Sequence, residues 1–337
     1  MPELAKLAGV DVSTVSRALN DSPVVKTETK KRIRKIAEET GYVMNVSARN
    51  LRKQSSEAIG IVIPLRPESG QGISDPFFLE MVGAVSSAAS KRGYDLIVHL
   101  PEGEQTIAEK RLLQTGRADG LIVIGQAGLS ERLNRLGDIV NKVVVWGGSE
   151  ENESYTLVGS DNKAGGYAIG AHLLSLGKRR ILFIGSLTLP EVKLRYNGLL
   201  EAYNMINLTH PSDLVLELDF GGQEAHDRVA RLIEDGCKFD AIFASSDVLA
   251  IAALHAVQVK GLSVPGDVAV AGYDNIGQSG MIMPPLTTVD QNIKLGGEIM
   301  VSLLLRKLAG EDVSSQLTPT SLVVRETTVA RGGRGQY

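Results

Sequence analysis

The sequence predicts an α/β protein: a small all-α headpiece with a helix-turn-helix and a hinge helix, then two doubly wound parallel-sheet lobes. Three observations carry this. From Ala58 onward, short apolar runs alternate with amphipathic segments, the pattern of strands buried on both faces between crossover helices. The alternation restarts after Asn162, so two such series make two lobes. The first 44 residues hold no apolar strand run, only short stretches of helical spacing closed by glycine.

In the headpiece, Leu4, Leu7 and Ala8 form the apolar side of a first helix that Gly9 closes. Asp11 is placed to N-cap a second helix, in which Val15, Ala18 and Leu19 face inward. Val12, Ser13, Thr14, Ser16 and Arg17 are left outward at its start. Thr27 caps a third helix with Ile33, Ile36 and Ala37 as its stripe, Gly41 as its stop, and a basic surface of Lys26, Lys30, Lys31, Arg32, Arg34 and Lys35. Two short helices joined by a turn, the second presenting hydroxyls and an arginine, form the unit that places a helix N-terminus in the DNA major groove. Taken alone, the pattern equally describes a small helical cap on a larger domain. Met1 to Ser56 carries eleven Lys and Arg against six Asp and Glu, and the remainder twenty-five against thirty-three. A basic module on an acidic body is the footprint of phosphate binding. An ordinary solvated helix face at Lys30 to Lys35 is compatible with it, since phosphate contacts position a module without specifying sequence.

In the first lobe, 59–63 reads as a buried strand, 77–91 as a helix, 96–98 as a strand, 108–113 as a helix, and 121–124 and 143–145 as strands. In the second, 164–176, 192–203, 223–233 and 248–259 read as helices between strands at 181–184, 215–216, 241–243 and 268–270. Ligands of open parallel sheets bind at the carboxyl ends of the strands, so a cleft between the lobes is the expected pocket. Catalysis has nothing specific behind it. No G-x-G-x-x-G follows a strand, and neither G-x-x-x-x-G-K-[ST] nor G-x-S-x-G occurs. One cysteine, Cys237, excludes a disulfide framework, and the five histidines lack metal-ligand spacing. No cofactor or metal is expected. Without an apolar leader or a membrane-length run, a cytoplasmic protein is expected.

Leu7-Ala8-Gly9-Val10, Thr14-Val15-Ser16-Arg17 and Leu19-Asn20, followed by Gly41-Tyr42, Asn45, Ala48-Arg49 and Leu51, resemble the headpiece and hinge of the LacI/GalR family. The resemblance implies a transcriptional repressor, nucleoid-associated in a bacterial cytoplasm, that binds palindromic operator DNA. It implies a homodimer, and the lack of a heptad run after Arg325 disfavours a tetramer. Val12, Ser13, Thr14, Ser16, Arg17, Asn20, Lys26 and Lys30 would contact DNA from the headpiece. Asn45, Ala48, Arg49, Leu51 and Arg52 would do so from a hinge helix in the minor groove, with Leu51 as a wedge.

Residues 57–325 resemble the same family's sensing domain and, more distantly, periplasmic binding proteins. The matches are Asp75-Pro76-Phe77-Phe78, Asp161-Asn162, Arg195-x-x-Gly198, Ser246-Asp247, Gly272-Tyr273-Asp274 and the run from Pro285 to Gln291. They imply an effector site in which Arg195, Asp247 and Asp274 hydrogen-bond a ligand, Asp75, Phe77 and Gln291 assist, and Phe220 forms an aromatic floor. A sugar is the leading effector class and a purine the second; a solute-binding module is the alternative function. Read from the residues alone, Asp247 suits an N-cap as well as a ligand contact, Phe220 suits the core, and Asp161 suits a turn. The sequence departs from the family at Met44, where the hinge ordinarily has proline, and in the long loop from Arg66 to Ser74. The expected boundaries are 1–44 for the headpiece, 45–56 for the hinge, 57–330 for the core and 331–337 for a disordered tail. Within the core, one lobe takes 57–160 with 290–320, the other 161–289 with 321–330.

Overall fold

The computed structural model describes residues 1–42, 55–65, 70–101, 107–127, 130–139, 141–149 and 153–329. The hinge readings at Asn45, Ala48, Arg49, Leu51 and Arg52, and the tail, lie outside the described residues. The chain divides into two units, Met1–Ser56 and Glu57–Tyr337.

The first unit holds α1 (Pro2–Ala8), α2 (Val12–Leu19) and α3 (Thr27–Glu39). Gly9 closes α1 at φ 63, a left-handed turn that costs glycine nothing. The core is Leu4, Ala5, Ala8, Val15, Ala18, Ile33 and Ala37. Three expectations change here. Leu7 is 58% exposed, and Ala5 takes its place, because α1 packs along the face that runs through Leu4, Ala5 and Ala8. Asp11 stands at the N-cap of α2 but makes no side-chain capping bond. Lys26, not Thr27, occupies the N-cap of α3.

In the second unit, a six-stranded sheet runs in the order β11, β5, β4, β3, β1, β2. Its strands are β1 (Ala58–Val62), β2 (Asp95–His99), β3 (Gly120–Ile124), β4 (Val143–Trp146), β5 (Thr156–Ser160) and β11 (Gln316–Thr318), and every pairing is parallel. A four-stranded parallel sheet runs β7, β6, β8, β9, from β6 (Ile181–Ile184), β7 (Val215–Leu216), β8 (Ala241–Ala244) and β9 (Ala269–Ala271). An antiparallel ribbon of β10 (Thr288–Asp290) and β12 (Ser321–Val323) adds a pairing the sequence did not suggest. The crossover helices are α4 (Pro76–Ser90), α5 (Ile107–Gln114), α6 (Ser130–Ile139), α7 (Asn162–Ser175), α8 (Pro190–Met205), α9 (Gly222–Glu234) and α10 (Asp247–Val259). After β10 the chain returns to the first sheet as α11 (Ile293–Leu308), which packs on α4, β3 and β4 before β11 joins the sheet edge. Residues 327 and 328 then reach the second sheet, where the Thr327 carbonyl accepts from the Val270 amide at 3.0 Å.

One contact sets the position of the site. Helices α7 and α8 cross backbone to backbone: a Cβ at Gly198 would stand 2.1 Å from the Lys163 carbonyl oxygen, and one at Gly166 2.0 Å from that of Arg195. Gly165 and Gly166 both lie inside α7: Gly166 admits α8, while Gly165 makes room for the Tyr273 ring.

Candidate functional site

A cavity opens where the carboxyl ends of both sheets meet. Pro64, Gly125, Gly147 and Asn162 border it just beyond β1, β3, β4 and β5, and Trp146 borders it from the end of β4. Ser246 follows β8 and Asp274 follows β9; α8 contributes Leu189, Glu191 and Arg195. Gln71, Asp75, Phe77, Phe78, Phe220 and Gln291 complete the wall. This is where open parallel sheets hold ligands, because the strand-to-helix loops converge there.

Its floor is a continuous polar chain. The buried Arg195 donates from Nε to the Asn162 side-chain oxygen at 2.8 Å, from Nη1 to the Ser245 carbonyl, and from Nη2 to Gln291 Oε1 at 3.5 Å. Its guanidinium lies 3.8 Å from the centre of the Tyr273 ring, a cation–π contact. Gln291 Oε1 also accepts from the Ser160 hydroxyl at 2.8 Å, while its amide nitrogen donates to Asp274 Oδ1. Asp274 sits at φ 123, where side chains other than glycine are rarely held, and a backbone bond from its amide to the Val289 carbonyl at 2.9 Å keeps it there. Burial, then the neighbouring carboxylates of Asp247 and Asp75, push the Asp274 carboxyl well above the usual range, while Arg195 and the Gln291 bond act the other way. Burial also raises Asp75, although its carboxylate caps α4 through the Phe77 amide at 2.9 Å and accepts from Gln71 at 3.0 Å.

Six of the seven residues expected at an effector site are thus brought together: Asp75, Phe77, Arg195, Phe220, Asp274 and Gln291. Asp247 is the exception. It begins α10 fully buried, turned away from the cavity. Its Oδ1 accepts from the Thr288 hydroxyl at 2.6 Å, and its Oδ2 from the Ile276 amide at 3.0 Å and the Ser279 hydroxyl at 2.5 Å. These bonds tie the α10 start to β10, and burial pushes the carboxyl up to about 6. Ser246 is the N-cap, accepting from the Leu249 amide at 3.3 Å, and it is Ser246 that lines the cavity. Asp161 caps α7 through the Ala164 amide at 3.0 Å, the turn role.

Asn162 and Ser246 stood in matched segments without a role of their own, and the sequence reading missed Gln71, Trp146 and Glu191 as lining residues. Trp146 had a signal: the only tryptophan of the chain ends an apolar strand and precedes Gly147-Gly148. Its ring is held against α11, where a Cβ at Gly296 would meet it at 2.3 Å.

On the headpiece, Val12, Ser13, Arg17, Asn20 and Lys26 are exposed and Thr14 is half-buried. Ser16 is buried, which corrects its placement on the outward face: α1 and α3 both cover α2, so its buried arc reaches past Val15 to Ser16. Lys30 is only 15% exposed in its side chain, and its ammonium holds Asp21, reaching the carbonyl and the carboxylate at 3.0 Å each. Arg34 grips the same carboxylate at 3.0 Å.

A three-helix DNA-reading module, followed by a two-sheet body with a polar and aromatic cavity at its strand ends, defines a DNA-binding protein that answers to a small molecule. Residues 1–45 match the model of bacterial regulatory proteins of the lacI family, and residues 171–328 that of a periplasmic binding protein-like domain. The ribose operon repressor of Halalkalibacterium halodurans is 33% identical over 98% of this chain and 97% of its own length. The transcriptional repressor PurR of Aliivibrio salmonicida is 31% identical over 91% of each chain. The lac repressor dimer bound to operator and the anti-inducer ONPF superimposes with a TM-score of 0.81 at 25% identity, over 97% of this chain and 98% of that one. The chain belongs to the lacI family of bacterial regulatory proteins and is a DNA-binding transcriptional regulator. No helix among the described residues is long and apolar enough to cross a membrane.

Proposed function

We propose that the protein is a transcriptional repressor which binds a near-palindromic operator as a dimer, and whose grip on DNA changes when a sugar fills the cavity. The carrying observation is the polar chain Asn162–Arg195–Gln291–Asp274, which shares one cavity with Phe77, Trp146 and Phe220. Sugars present hydroxyls at their edges and C–H groups on their faces. Carboxyl, amide and guanidinium groups match the first, and aromatic rings match the second. In this reading Arg195, Asp274, Gln291 and Asn162 hold hydroxyls, Asp75 fixes the α4 rim beside Phe77, and the rings of Trp146 and Phe220 stack. Val12 and Ser13 at the exposed start of α2, with Arg17 one turn further on, read bases, and the hinge follows in the minor groove.

The test uses the chain's own probe. Trp146 is the only tryptophan and borders the cavity, so occupancy will change its fluorescence. A panel of pentoses, hexoses, disaccharides and purine bases, read by Trp146 emission and by thermal shift, should show saturable binding of a sugar. A panel in which only purines bind overturns the sugar assignment in favour of the second class.

A further inference from the structure

We propose that Glu80 is a positioning residue of the cavity, whose carboxylate ties helix α4 of the first sheet to the segment after β9 of the second and so holds the two walls at binding distance; this rests on the small-molecule reading of the same cavity. Glu80 Oε1 accepts from the Gly277 amide at 2.8 Å, across 197 positions of sequence. Gly277 begins a short 3-10 helix, Gly277–Gly280, whose N-cap residue Ile276 makes no side-chain capping bond. The first N–H groups of a helix have no partner within it, and a carboxylate is the acceptor best suited to them. Here the carboxylate comes from the opposite wall.

Both ends of the bond are anchored. Helix α4 packs on α11 and β2 and borders the cavity with Asp75 at its N-cap and with Phe77 and Phe78. Glu80 stands one turn beyond Phe77 and is not itself a lining residue. Gly277 follows the lining Asp274 by three residues. Its neighbours are fixed to the second sheet: Asp247 holds the Ile276 amide and the Ser279 hydroxyl, and the Ser279 carbonyl accepts from the Leu286 amide at 2.8 Å. The chain passes between the sheets at three crossovers, and these are tied to one another. Thr318 Oγ1 donates to the Gln291 carbonyl at 2.8 Å, and the Asp161 amide donates to the Thr318 carbonyl at 3.2 Å. Such a joint leaves rotation about itself as the softest motion of the two sheets. Glu80 and Gly277 belong to none of the crossovers, so their bond fixes the angle that the joint leaves open. A ligand that touches both walls favours the same angle, and the bond forms it before the ligand arrives.

The experiment compares the full-length wild type with Glu80→Ala, which removes the acceptor, and Glu80→Gln, which keeps one without the charge. Amide hydrogen exchange at Gly277 reads the bond. Acrylamide quenching of Trp146, the only tryptophan, reads how open the cavity stands without a ligand. Titration with ribose, glucose and adenine, followed by Trp146 emission, reads affinity. In Glu80→Ala the Gly277 amide should exchange roughly tenfold faster, Trp146 quenching should rise, and the probe that binds should be held about three- to tenfold more weakly. Glu80→Gln should stay close to wild type in all three readings. If none of the three probes binds, the small-molecule reading is at fault, and exchange and quenching decide the positioning role without it. The inference is overturned if Gly277 exchanges equally fast in wild type and Glu80→Ala, or if Trp146 is equally quenched in the two. It is overturned as well if Glu80→Ala holds a bound probe as tightly as wild type, or if Glu80→Gln behaves as Glu80→Ala does.

Discussion

His210 shows how a single side chain can bind stability to pH. It is buried below β6, with Nε2 2.8 Å from the Ile181 carbonyl and Nδ1 3.3 Å from the Tyr196 hydroxyl. A carbonyl only accepts, so Nε2 carries the proton and neutral Nδ1 accepts from Tyr196. Burial holds its pKa below the ordinary 6.5, against the pull of the Ile181 bond and of Asp213. The unfolded chain therefore takes up the proton first on acidification. The contribution is fully present above pH 6.5 and is lost as pH falls through the lowered folded value. Urea unfolding at pH 7 and pH 5 should show a loss for the wild type that is smaller in His210→Gln; equal losses would remove His210 as the cause. Arg17 makes the corresponding statement for DNA. It is exposed in the last turn of α2, and Arg17→Ala should cost about 1–3 kcal/mol and relax preference at one base pair. Binding to a series of single-base operator variants checks this. Lys30→Ala is expected to act differently, loosening the Asp21 tie that holds α3 to the turn after α2.

The elements legible in the sequence were those whose pattern is local. Runs such as Ile181–Ile184 and Val143–Trp146 are apolar at every position and lie between amphipathic helices, so their place could be read within a residue or two. The β10–β12 ribbon was hidden because its three-residue strands pair across more than thirty positions of sequence. Helix α11 was not among the elements read from the sequence; in the fold its Gly296 and Gly297 admit the Trp146 ring and the α4 backbone. At the site, Arg195 and Asp274 stood in recognisable motifs, but which side of α10 Asp247 faced depended on Thr288 and Ser279, far away in sequence. The α7–α8 crossing is the element on which the site depends most. Gly198→Ala would place a methyl 2.1 Å from the Lys163 oxygen and 2.5 Å from the Tyr167 nitrogen, both backbone atoms that can yield only if the helices part. The expected cost is about 1–3 kcal/mol or somewhat more. Because Arg195 lies one turn away on α8, sugar affinity should fall as well. Unfolding and titration of the same variant check both parts; unchanged values for both would mean that the crossing has slack.

At the scale of the whole molecule, regulation requires that the cavity and the DNA-reading headpiece influence each other's equilibria. The cavity joins both sheets, with Gln291 bonded at once to Ser160 at the end of the first sheet's β5, to Arg195 on α8 and to Asp274 beyond β9. A ligand that replaces or strengthens those bonds biases the angle between the sheets, and the state so favoured must differ in its affinity for operator. Linkage fixes the form of the result: whatever factor the sugar applies to operator affinity, operator must apply to sugar affinity. Couplings of this kind typically amount to about 1–3 kcal/mol, or roughly 5–150-fold. Trp146 fluorescence gives sugar affinity with and without a saturating operator duplex, and anisotropy of labelled operator gives DNA affinity with and without saturating sugar. The two ratios should agree, in the same direction, whether the sugar weakens or strengthens DNA binding. Arg195→Ala should abolish both shifts, since it removes a group that lines the cavity and one of the bonds through Gln291. Sugar binding that leaves operator affinity untouched would show a cavity without regulatory consequence, and the function would then reduce to constitutive DNA binding.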